Sequence, residues 1–378
     1  MIYLDNNATT QIAPPVFEAM RPFLEGGFGN PSSAYAAGSE TRSAVERARE
    51  SVAGLIGARQ PSEIVFTSGG TESDNWAILG SLEATGKNHI VTTRVEHEAV
   101  RKLCQRLETR GYAVSWLDVD EEGLLDLEQL RDALTPETAV VSVMMANNET
   151  GVLFPVAEIA SIVKEHSDAL FHVDGVNAIG KISTDLGSTA IDLFSLSAHK
   201  FHGPKGVGAL YIRDGVSLPS LAIGGGQESG RRAGTEAVHQ IVGLGAAAEF
   251  VRDMSPMKLV RELRDRLETE ILQNIANTRL NGHVEHRLPN TSNISFENTN
   301  GEMILARLDG LGVCVSTGSA CNAHDHKASA VLEAMNVPYS YSMGSIRFSL
   351  GRMNKPDEID LVLRSVTEIL FDLRSLAA

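Results

Sequence analysis

The chain has 378 residues, and its 33 basic and 48 acidic side chains give a formal net charge of −15. Such a negative field repels phosphate backbones, so we expect no direct binding to nucleic acid. No window approaches about 18 consecutive apolar residues, so we expect no membrane span. The opening MIYLDNNATT has neither the basic n-region nor the apolar h-region of a signal peptide, so we expect no secretory signal.

From residue 63 onward, short apolar runs alternate with longer amphipathic stretches. Helical patterns such as 73–86 and 155–167 separate most of the runs. This alternation predicts an α/β fold built on an open, mostly parallel sheet. The runs that we interpret as buried strands are 63–68, 89–93, 139–146, 169–174, 192–197 and 207–212.

Beyond about residue 250 the pattern changes. A strongly charged helix over 257–275 leads to shorter strand patterns at 291–296 and 345–350, and a helical pattern over 356–376 closes the chain. This predicts a second, smaller α+β unit. We therefore expect two domains, a large one over 14–250 and a small one formed by 1–13 together with 251–378.

The first predicted strand of the sheet runs into SGGTES, residues 68–73. Small residues at a strand-to-helix turn expose backbone N–H groups at a positive helix end, which suits a phosphate. No lysine follows as it does in a nucleoside triphosphate loop, so that ligand is not expected. A plain glycine turn with Thr71 or Ser73 as the helix cap is the alternative interpretation.

Other polar groups follow other strands. Asp174 ends one predicted strand, Lys200 follows the next one directly, and His97, Asn147 and Asn148 lie just beyond two more. Each alone can be a cap or a surface residue. Ligands of open α/β sheets bind beyond the carboxyl ends of the strands, and a phosphate turn, an acid and a lysine there suit pyridoxal phosphate. The lysine would bond to its aldehyde, and the acid would keep its ring nitrogen protonated.

The stretch VSTGSACNAHDHKA, residues 315–328, places Cys321 close to His324, Asp325 and His326. A metal site, a nucleophile with its own base and an ordinary polar loop all fit this pattern. A zinc site is disfavoured, because structural zinc takes four ligands and no CxxC or HxxxH pair completes the set nearby. The stretch is small, polar and glycine-containing, which suits a segment that moves.

The other two cysteines are expected to serve only in packing. Cys314 lies in an apolar, strand-like run and is expected in the core, and Cys104 is expected on the packed side of a helix. Three cysteines in a chain of this length do not form a disulfide framework, which favours the reducing cytoplasm.

Taken together, these segments resemble the cysteine desulfurases of the NifS/IscS type, which are class V members of the fold-type I aminotransferase superfamily. The similarity extends from Tyr3 to about Arg352, and SAHKFHGPKG together with GSAC is its most specific part. The segments that carry it are YLDNNATT, GNPSSAYAAG, FTSGGTESDN, EHEAV, NNETG, HVDGV, SAHKFHGPKG, GGGQESGRRAGT and STGSAC.

The resemblance implies a fold-type I architecture with a mostly parallel, seven-stranded type of sheet in the large domain. It implies a pyridoxal-phosphate-dependent transferase that converts L-cysteine to L-alanine and passes the sulfur to an acceptor protein. Relatives supply iron–sulfur cluster assembly, other thiolation reactions or DNA phosphorothioation. A homodimer in the cytoplasm is implied as well. The alternative is a selenocysteine lyase or another class V enzyme, which would need no thiol at position 321.

The resemblance also implies the catalytic roles. Lys200 would bond to the cofactor and move the substrate's α-proton, and Asp174 would hold the ring nitrogen. His97 would stack on the ring and help in proton transfer. Cys321 would take the sulfur as a persulfide, which requires a thiolate and therefore a nearby base or cation.

Further positions match the binding residues of the family. The substrate carboxylate would bind to Arg347, whose planar guanidinium suits a bidentate contact. Asn148 would lie near the ring hydroxyl and the substrate, with Asn177 also near the hydroxyl. The residues implied for the phosphate are Gly70, Thr71, Ser197 and His199, with Thr235 reaching it from the other protomer.

Several positions depart from the family pattern. Asn177 stands where Gln is common, Tyr35 replaces a frequent His and Ser229 replaces a frequent Arg. The loop after Cys321 reads NAHDHKAS, where relatives tend to have Thr-Ser, three variable positions and then Glu-Pro-Ser. These departures bear on loop behaviour and on the choice of acceptor, and leave the cofactor and the reaction class as implied.

Overall fold

The computed structural model describes residues 1–317 and 328–377, which form twelve strands and twelve α-helices. The strands are β1 (Ile2–Tyr3), β2 (Ile64–Thr67), β3 (His89–Thr93), β4 (Ala113–Leu117), β5 (Thr138–Met144), β6 (Leu170–Asp174), β7 (Leu193–Ser197), β8 (Gly208–Ile212), β9 (Thr278–Asn281), β10 (Thr291–Phe296), β11 (Val313–Cys314) and β12 (Ser345–Ser349). The helices are α1 (Pro14–Glu25), α2 (Ala36–Ile56), α3 (Gly70–Thr85), α4 (Glu98–Glu108), α5 (Leu127–Ala133), α6 (Val156–His166), α7 (Val238–Arg252), α8 (Pro256–Asn274), α9 (Gly301–Gly310), α10 (Ala330–Ala334), α11 (Tyr339–Ser342) and α12 (Pro356–Ala377).

The main sheet has seven strands in the order β2-β8-β7-β6-β5-β3-β4. Neighbours from β7 to β4 pair in parallel, whereas β8 pairs antiparallel with both β7 and β2. Strand β8 is antiparallel to both β7 and β2, so β2 points in the same direction as β7. The carboxyl ends of β2, β3, β5, β6 and β7 therefore meet at one edge, and the expected mostly parallel seven-stranded α/β architecture is confirmed.

The strands of this sheet form where the sequence is rich in β-branched and aromatic residues. Every residue of β5, TAVVSVM, is buried, as expected for a strand covered by helices on both faces. The edge strand β4 was missed at sequence level, because all of its residues but Leu117 are at least partly exposed and its apolar run is short. Helix α3 contacts α4 and several strands of the sheet, and buries Trp76 and Ile78 completely.

A second core lies against a smaller antiparallel sheet of order β12-β10-β9, covered by α8, α9 and α12. Leu4 joins this core because β1 pairs in parallel with β11, which carries the N-terminal segment to the carboxyl-terminal part of the chain. Residues 331–337 pack against the core of the main sheet instead. The division into 14–250 and the remainder stays a prediction.

The two other cysteines differ in their surroundings. Cys104 is completely buried on α4, as expected, and burial raises the pKa of its thiol to about 12. Cys314 lies on β11 and is only partly buried. Among the described residues, no helix combines the length and the apolar character needed to cross a membrane.

Candidate active site

A cavity of about 600 Å³ opens at the edge of the main sheet where the carboxyl ends of the parallel strands meet. Its volume lies in the range of small-molecule sites. Helix α3 and the segments that follow β3, β5, β6 and β7 each contribute side chains to its wall. The residues expected from the sequence that line it are Gly70, Thr71, His97, Asn148, Asp174, Asn177, Ser197, His199, Lys200 and Arg347.

Lys200 lies in the 3₁₀ turn that directly follows β7. Its amine donates to the backbone oxygens of Asn7 at 2.6 Å and of Ala8 at 3.0 Å. The N-terminal segment therefore crosses the cavity beside the lysine and holds its amine by neutral acceptors. An amine that lies beside a cavity can react with an aldehyde there once it loses its proton.

Asp174 ends β6, a central strand, and its carboxylate accepts a hydrogen bond from the backbone N–H of Val176 at 2.9 Å. Burial raises the pKa of Asp174, while the nearby His97 and Lys200 favour its charged form and lower the pKa. A buried carboxyl group at this position requires a cationic partner in order to stay ionised. A protonated ring nitrogen supplies such a partner.

Two further buried acids adjoin the cavity and were missed at sequence level. Glu96 accepts from the Thr93 hydroxyl at 2.7 Å and from the backbone N–H of Met144 at 3.1 Å, and burial raises its pKa to about 8. Asp74 is completely buried in the first turns of α3, and burial together with Asp174 raises its pKa well above the ordinary value. Asp74 directly follows the SGGTES turn, and Glu96 directly precedes His97. In both places the sequence pattern points to the neighbouring residues.

A neutral histidine lies beneath these acids. His172 on β6 is fully buried, and its two ring nitrogens lie 2.9 Å from the hydroxyls of Ser142 and Ser195. Burial lowers its pKa to about 3, so the ring carries no charge at neutral pH. It therefore supplies no positive charge to Asp74, whose Oδ1 lies 3.5 Å from its Nε2.

His97 is the residue preceding α4, and its Nδ1 accepts a hydrogen bond from the backbone N–H of Ala99 at 3.2 Å. A ring nitrogen that accepts carries no proton, so the proton of the neutral ring is on Nε2. Burial lowers the pKa of His97, Asp174 raises it and Lys200 lowers it. The histidine therefore presents a neutral ring with a fixed tautomer to the cavity that it lines.

The turn after β2 is the segment for which a phosphate site is predicted. Helix α3 begins at Gly70 after Gly69, whose φ of 150° favours glycine, and no side chain caps this helix end. The alternative of a capping Thr71 or Ser73 is therefore wrong. A Cβ on Gly70 would lie 2.7 Å from a methyl carbon of Val176, so the close approach requires glycine. Ser197 lies beside the same turn.

His199 also lines the cavity. Its Nδ1 lies 3.2 Å from the Thr9 hydroxyl, and burial together with the charges of Lys200 and Lys205 lowers its pKa to about 4. The ring is neutral at physiological pH and can donate or accept only one hydrogen bond per nitrogen.

Arg347 on β12 brings a cation from the small sheet into the cavity. Its two terminal nitrogens donate to the Asn148 backbone oxygen at 3.0 Å and to Asp5 at 2.7 Å. Its buried Nε has no hydrogen-bond partner among residues 1–317 and 328–377. An unpartnered buried donor of a guanidinium fits a carboxylate ligand.

The two amides predicted after β5 have different surroundings. Asn148 lines the cavity, but Asn147 does not. The Asn147 side chain accepts from the backbone N–H groups of Glu149 and Thr150 and donates to the Val95 backbone oxygen. Asn147 therefore shapes the turn that presents Asn148.

Thr235 lies apart from the main cavity, in a pocket of about 70 Å³ that Glu228 and Arg232 also line. The loop before it is held by a buried bidentate ion pair, in which Arg49 contacts Glu228 at 2.7 and 3.0 Å. Ser229 adopts a positive φ of 58° in this loop, a conformation that costs energy for residues other than glycine. Tyr35 is exposed and lies just before α2.

Cys321, His324, Asp325 and His326 lie outside the described residues. Within residues 1–317 and 328–377, no group of three or more His, Cys, Asp or Glu side chains is arranged to hold a metal ion. Just after the undescribed stretch, Ser329 caps α10 and its hydroxyl donates to Glu149, which also lines the cavity. Burial raises the pKa of Glu149 to about 7, and no local sequence pattern predicts this group.

Comparisons with known proteins agree with this geometry. Residues 2–362 match the family model described as Aminotransferase class-V. A cysteine desulfurase of Nostoc sp. (strain PCC 7120) is 50% identical over 380 residues, which cover 100% of this chain and 94% of the relative. A solved NifS-like protein has a TM-score of 0.93 at 41% identity and covers 98% of this chain and 100% of its own. A structure described as SspA in complex with cysteine has a TM-score of 0.82 at 35% identity and covers 93% and 99%.

Proposed function

The chain belongs to the class V aminotransferase family and, within it, to the cysteine desulfurases, and from this premise we propose the roles of its residues. The enzyme converts L-cysteine to L-alanine, and the sulfur stays on Cys321 as a persulfide until an acceptor protein takes it. The observation that carries the proposal is that Lys200, Asp174 and His97 line one cavity together with Arg347.

The residues at the cavity fit pyridoxal 5'-phosphate, the type of cofactor that the family implies. The backbone N–H groups of Gly70 and Thr71, with Ser197 and His199, would hold its phosphate at the start of α3. Asp174 would hold its ring nitrogen, and Asn148 and Asn177 would face its ring hydroxyl. When bound, the cofactor supplies an aldehyde for amines and an electron sink for the substrate's α-carbon.

The side chains of this chain orient the substrate and move its protons. Arg347 receives the L-cysteine carboxylate through its unpartnered Nε, and Asp5 keeps the guanidinium in place. The amine of Lys200 would take the α-proton, and the Nε2–H of His97 would assist in proton transfer.

The sulfur transfer balances without an added oxidant. The thiolate of Cys321 attacks the substrate sulfur, an S–S bond forms, and the C–S bond of the substrate breaks. The electron pair of that bond stays on the substrate carbon, which takes a proton and becomes the methyl group of alanine. The products are L-alanine and a persulfide on Cys321.

We propose further that the enzyme works as a homodimer in the cytoplasm. Support for the dimer comes from Thr235, which lies outside its own protomer's cavity on a loop whose residues 224–226 are exposed. Support for the compartment comes from the three sparse cysteines. The sulfur acceptor is a scaffold or carrier protein of iron–sulfur cluster assembly or of another thiolation pathway.

The proposal is tested by visible spectra and by alanine formation from L-cysteine in the wild type, Lys200→Ala and Cys321→Ser. The wild type is expected to be yellow, and the lysine variant to lose the absorbance of the bound cofactor. The serine variant is expected to keep its colour and lose most of its turnover.

Two outcomes would contradict the proposal. A colourless wild type would exclude the cofactor. Full turnover of L-cysteine by Cys321→Ser would favour a selenocysteine lyase or another class V enzyme, which needs no thiol at this position.

A further inference from the structure

Lys181 is a buried lysine behind the cavity wall, in the turn after β6, and only 7% of it is exposed. Its Nζ donates to the side-chain oxygen of Asn177 at 2.7 Å, to the backbone oxygen of Asn177 at 2.8 Å and to the side-chain oxygen of Asn7 at 3.0 Å. Three oxygens around one nitrogen match the three N–H bonds of an ammonium group. All three acceptors are neutral, so hydrogen bonds to them, and not an ion pair, hold the amine of this lysine in place.

The contact with Lys181 fixes which way the Asn177 carboxamide points. The Asn177 atom 2.7 Å from the Lys181 nitrogen is the oxygen, which accepts an N–H of the amine, so the amino group of the amide points elsewhere. That amino group lies 3.4 Å from the backbone oxygen of Asn147, a long contact that leaves it largely free to donate. Asn177 lines the cavity and Lys181 does not, so the amide presents N–H groups to a ligand.

A second branch of the same network reaches the reactive lysine. The side-chain oxygen of Asn7 accepts from Lys181 and also from the Asn290 amide at 3.1 Å. The backbone oxygen of the same Asn7 accepts from Lys200 at 2.6 Å. Asn7 is only 1% exposed and its side-chain amide also donates to Thr291 at 2.9 Å, so this branch is rigid.

We propose that Lys181 is a positioning residue that orients the Asn177 carboxamide, so that Asn177 donates to a hydrogen-bond acceptor on the bound cofactor. The acceptor is the ring hydroxyl oxygen of pyridoxal phosphate, and this identification rests on the proposed function. Without Lys181 the amide can rotate and turn its oxygen toward that acceptor, which replaces an attraction by a repulsion.

Burial lowers the pKa of Lys181 well below its ordinary value, and the positive charges of Lys200 and Arg347 lower it further. The three oxygens at 2.7 to 3.0 Å counteract this effect, because each of them binds an N–H of the protonated amine. The lysine is therefore suited to hold the amide in one orientation as long as all three contacts persist.

The test compares two ligands that differ at one group. Protein freed of cofactor is titrated with pyridoxal phosphate and with its 3-deoxy analogue, which lacks the ring hydroxyl, and visible absorbance reports binding. Lys181→Met is expected to bind pyridoxal phosphate roughly tenfold more weakly than the wild type, which is the effect of one lost hydrogen bond to a polar ligand group. Its affinity for the analogue is expected to match that of the wild type.

A second variant tests the same point by another change. Asn177→Asp keeps an oxygen toward Lys181 and replaces the donor that faces the cavity by a second oxygen, so it is expected to weaken pyridoxal phosphate selectively over the analogue. It remains informative if Lys181→Met fails to fold, because a carboxylate at 177 pairs with Lys181. Lys164→Met is the control, since Lys164 contacts Asp192 at 2.7 Å and does not line the cavity, and it is expected to change neither affinity.

The outcomes separate this inference from the function on which it rests. Equal weakening of both ligands, or no weakening in either variant, would overturn the role of Lys181 and leave the proposed function intact. A wild type that binds neither ligand would overturn both.

Discussion

The guanidinium of Arg347 donates to the carboxylate of Asp5 at 2.7 Å, and the two residues are 342 positions apart in the chain. Arg347 lines the cavity, and the segment after β1 lies beside β12 because Asp5 bridges to Ser349. The ion pair fixes the plane of the guanidinium. The buried Nε, which lacks a partner among the described residues, is thus held ready for an incoming carboxylate.

We predict that Arg347→Lys lowers kcat/KM for L-cysteine by about 10- to 100-fold, mainly through KM. A lysine keeps the charge, but it cannot bind Asp5 and the substrate carboxylate in the same fixed plane. Initial rates of alanine formation over a range of L-cysteine concentrations measure the change, and the cofactor spectrum is expected to stay as in the wild type. An unaltered KM would exclude Arg347 as the carboxylate site.

The control for this substitution is Arg287→Lys. Arg287 is also buried and makes a bidentate ion pair, with Glu268 at 2.6 and 2.7 Å, but it does not line the cavity. It is expected to lower stability and leave KM unchanged. A similar rise of KM in both variants would indicate a general loss of structure.

The strand ends of the main sheet could be predicted from the sequence because their signals are local. Buried apolar runs end at fixed positions, and Asp174 and Lys200 follow two of them directly, so both reach the edge where parallel strands meet. The order of the strands was not available from these patterns. Neither was the edge strand β4, whose residues are mostly half-exposed.

The supporting residues of the site could not be predicted, because they act across long separations in the chain. Asp5 contacts Arg347, and Lys181 contacts Asn7 at a separation of 174 positions. No local pattern distinguishes Lys181 from a surface lysine in a turn. Glu96 stands beside His97, and its burial depends on the packing of the whole sheet.

We predict that Glu96→Gln removes part of the pH dependence of stability in protein freed of cofactor. Burial raises the pKa of Glu96 from 4.5 to about 8, so the folded protein holds this proton where the unfolded chain has lost it. The wild type therefore loses stability as the pH rises from 4.5 toward 8, by about 5 kcal/mol at most. The glutamine does not titrate, so the stability of the variant relative to the wild type should increase across this pH interval.

Urea unfolding at pH 5 and at pH 8 measures this difference, and Glu63→Gln is the control with the opposite sign. Burial opposes the ionisation of Glu63, but hydrogen bonds from the backbone N–H groups of Asp214 and Gln60 and from Tyr211 outweigh it and lower the pKa. That variant should lose stability relative to the wild type by a similar amount at pH 5 and at pH 8, because Glu63 titrates below pH 4.5. If Glu96→Gln shows the same difference from the wild type at both pH values, Glu96 is ionised in the folded protein.

We predict that Gly175→Ala destabilises the protein by about 1–3 kcal/mol and weakens cofactor binding. A Cβ at this position would lie 1.8 Å from Cζ of Phe194, which is completely buried on β7. The ring cannot move without disturbing the core, so the backbone next to Asp174 must shift. Urea unfolding and titration with pyridoxal phosphate measure the two effects.

Gly310→Ala is the matched control, because a Cβ on this last residue of α9 would meet nothing within 4 Å. It is expected to be neutral or to stabilise the protein by up to about 1 kcal/mol, since alanine favours the helix over glycine. Equal stability of Gly175→Ala and the wild type would mean that the Phe194 ring can move aside to make room for the Cβ. In that case the position of Asp174 would not depend on close packing between β6 and β7.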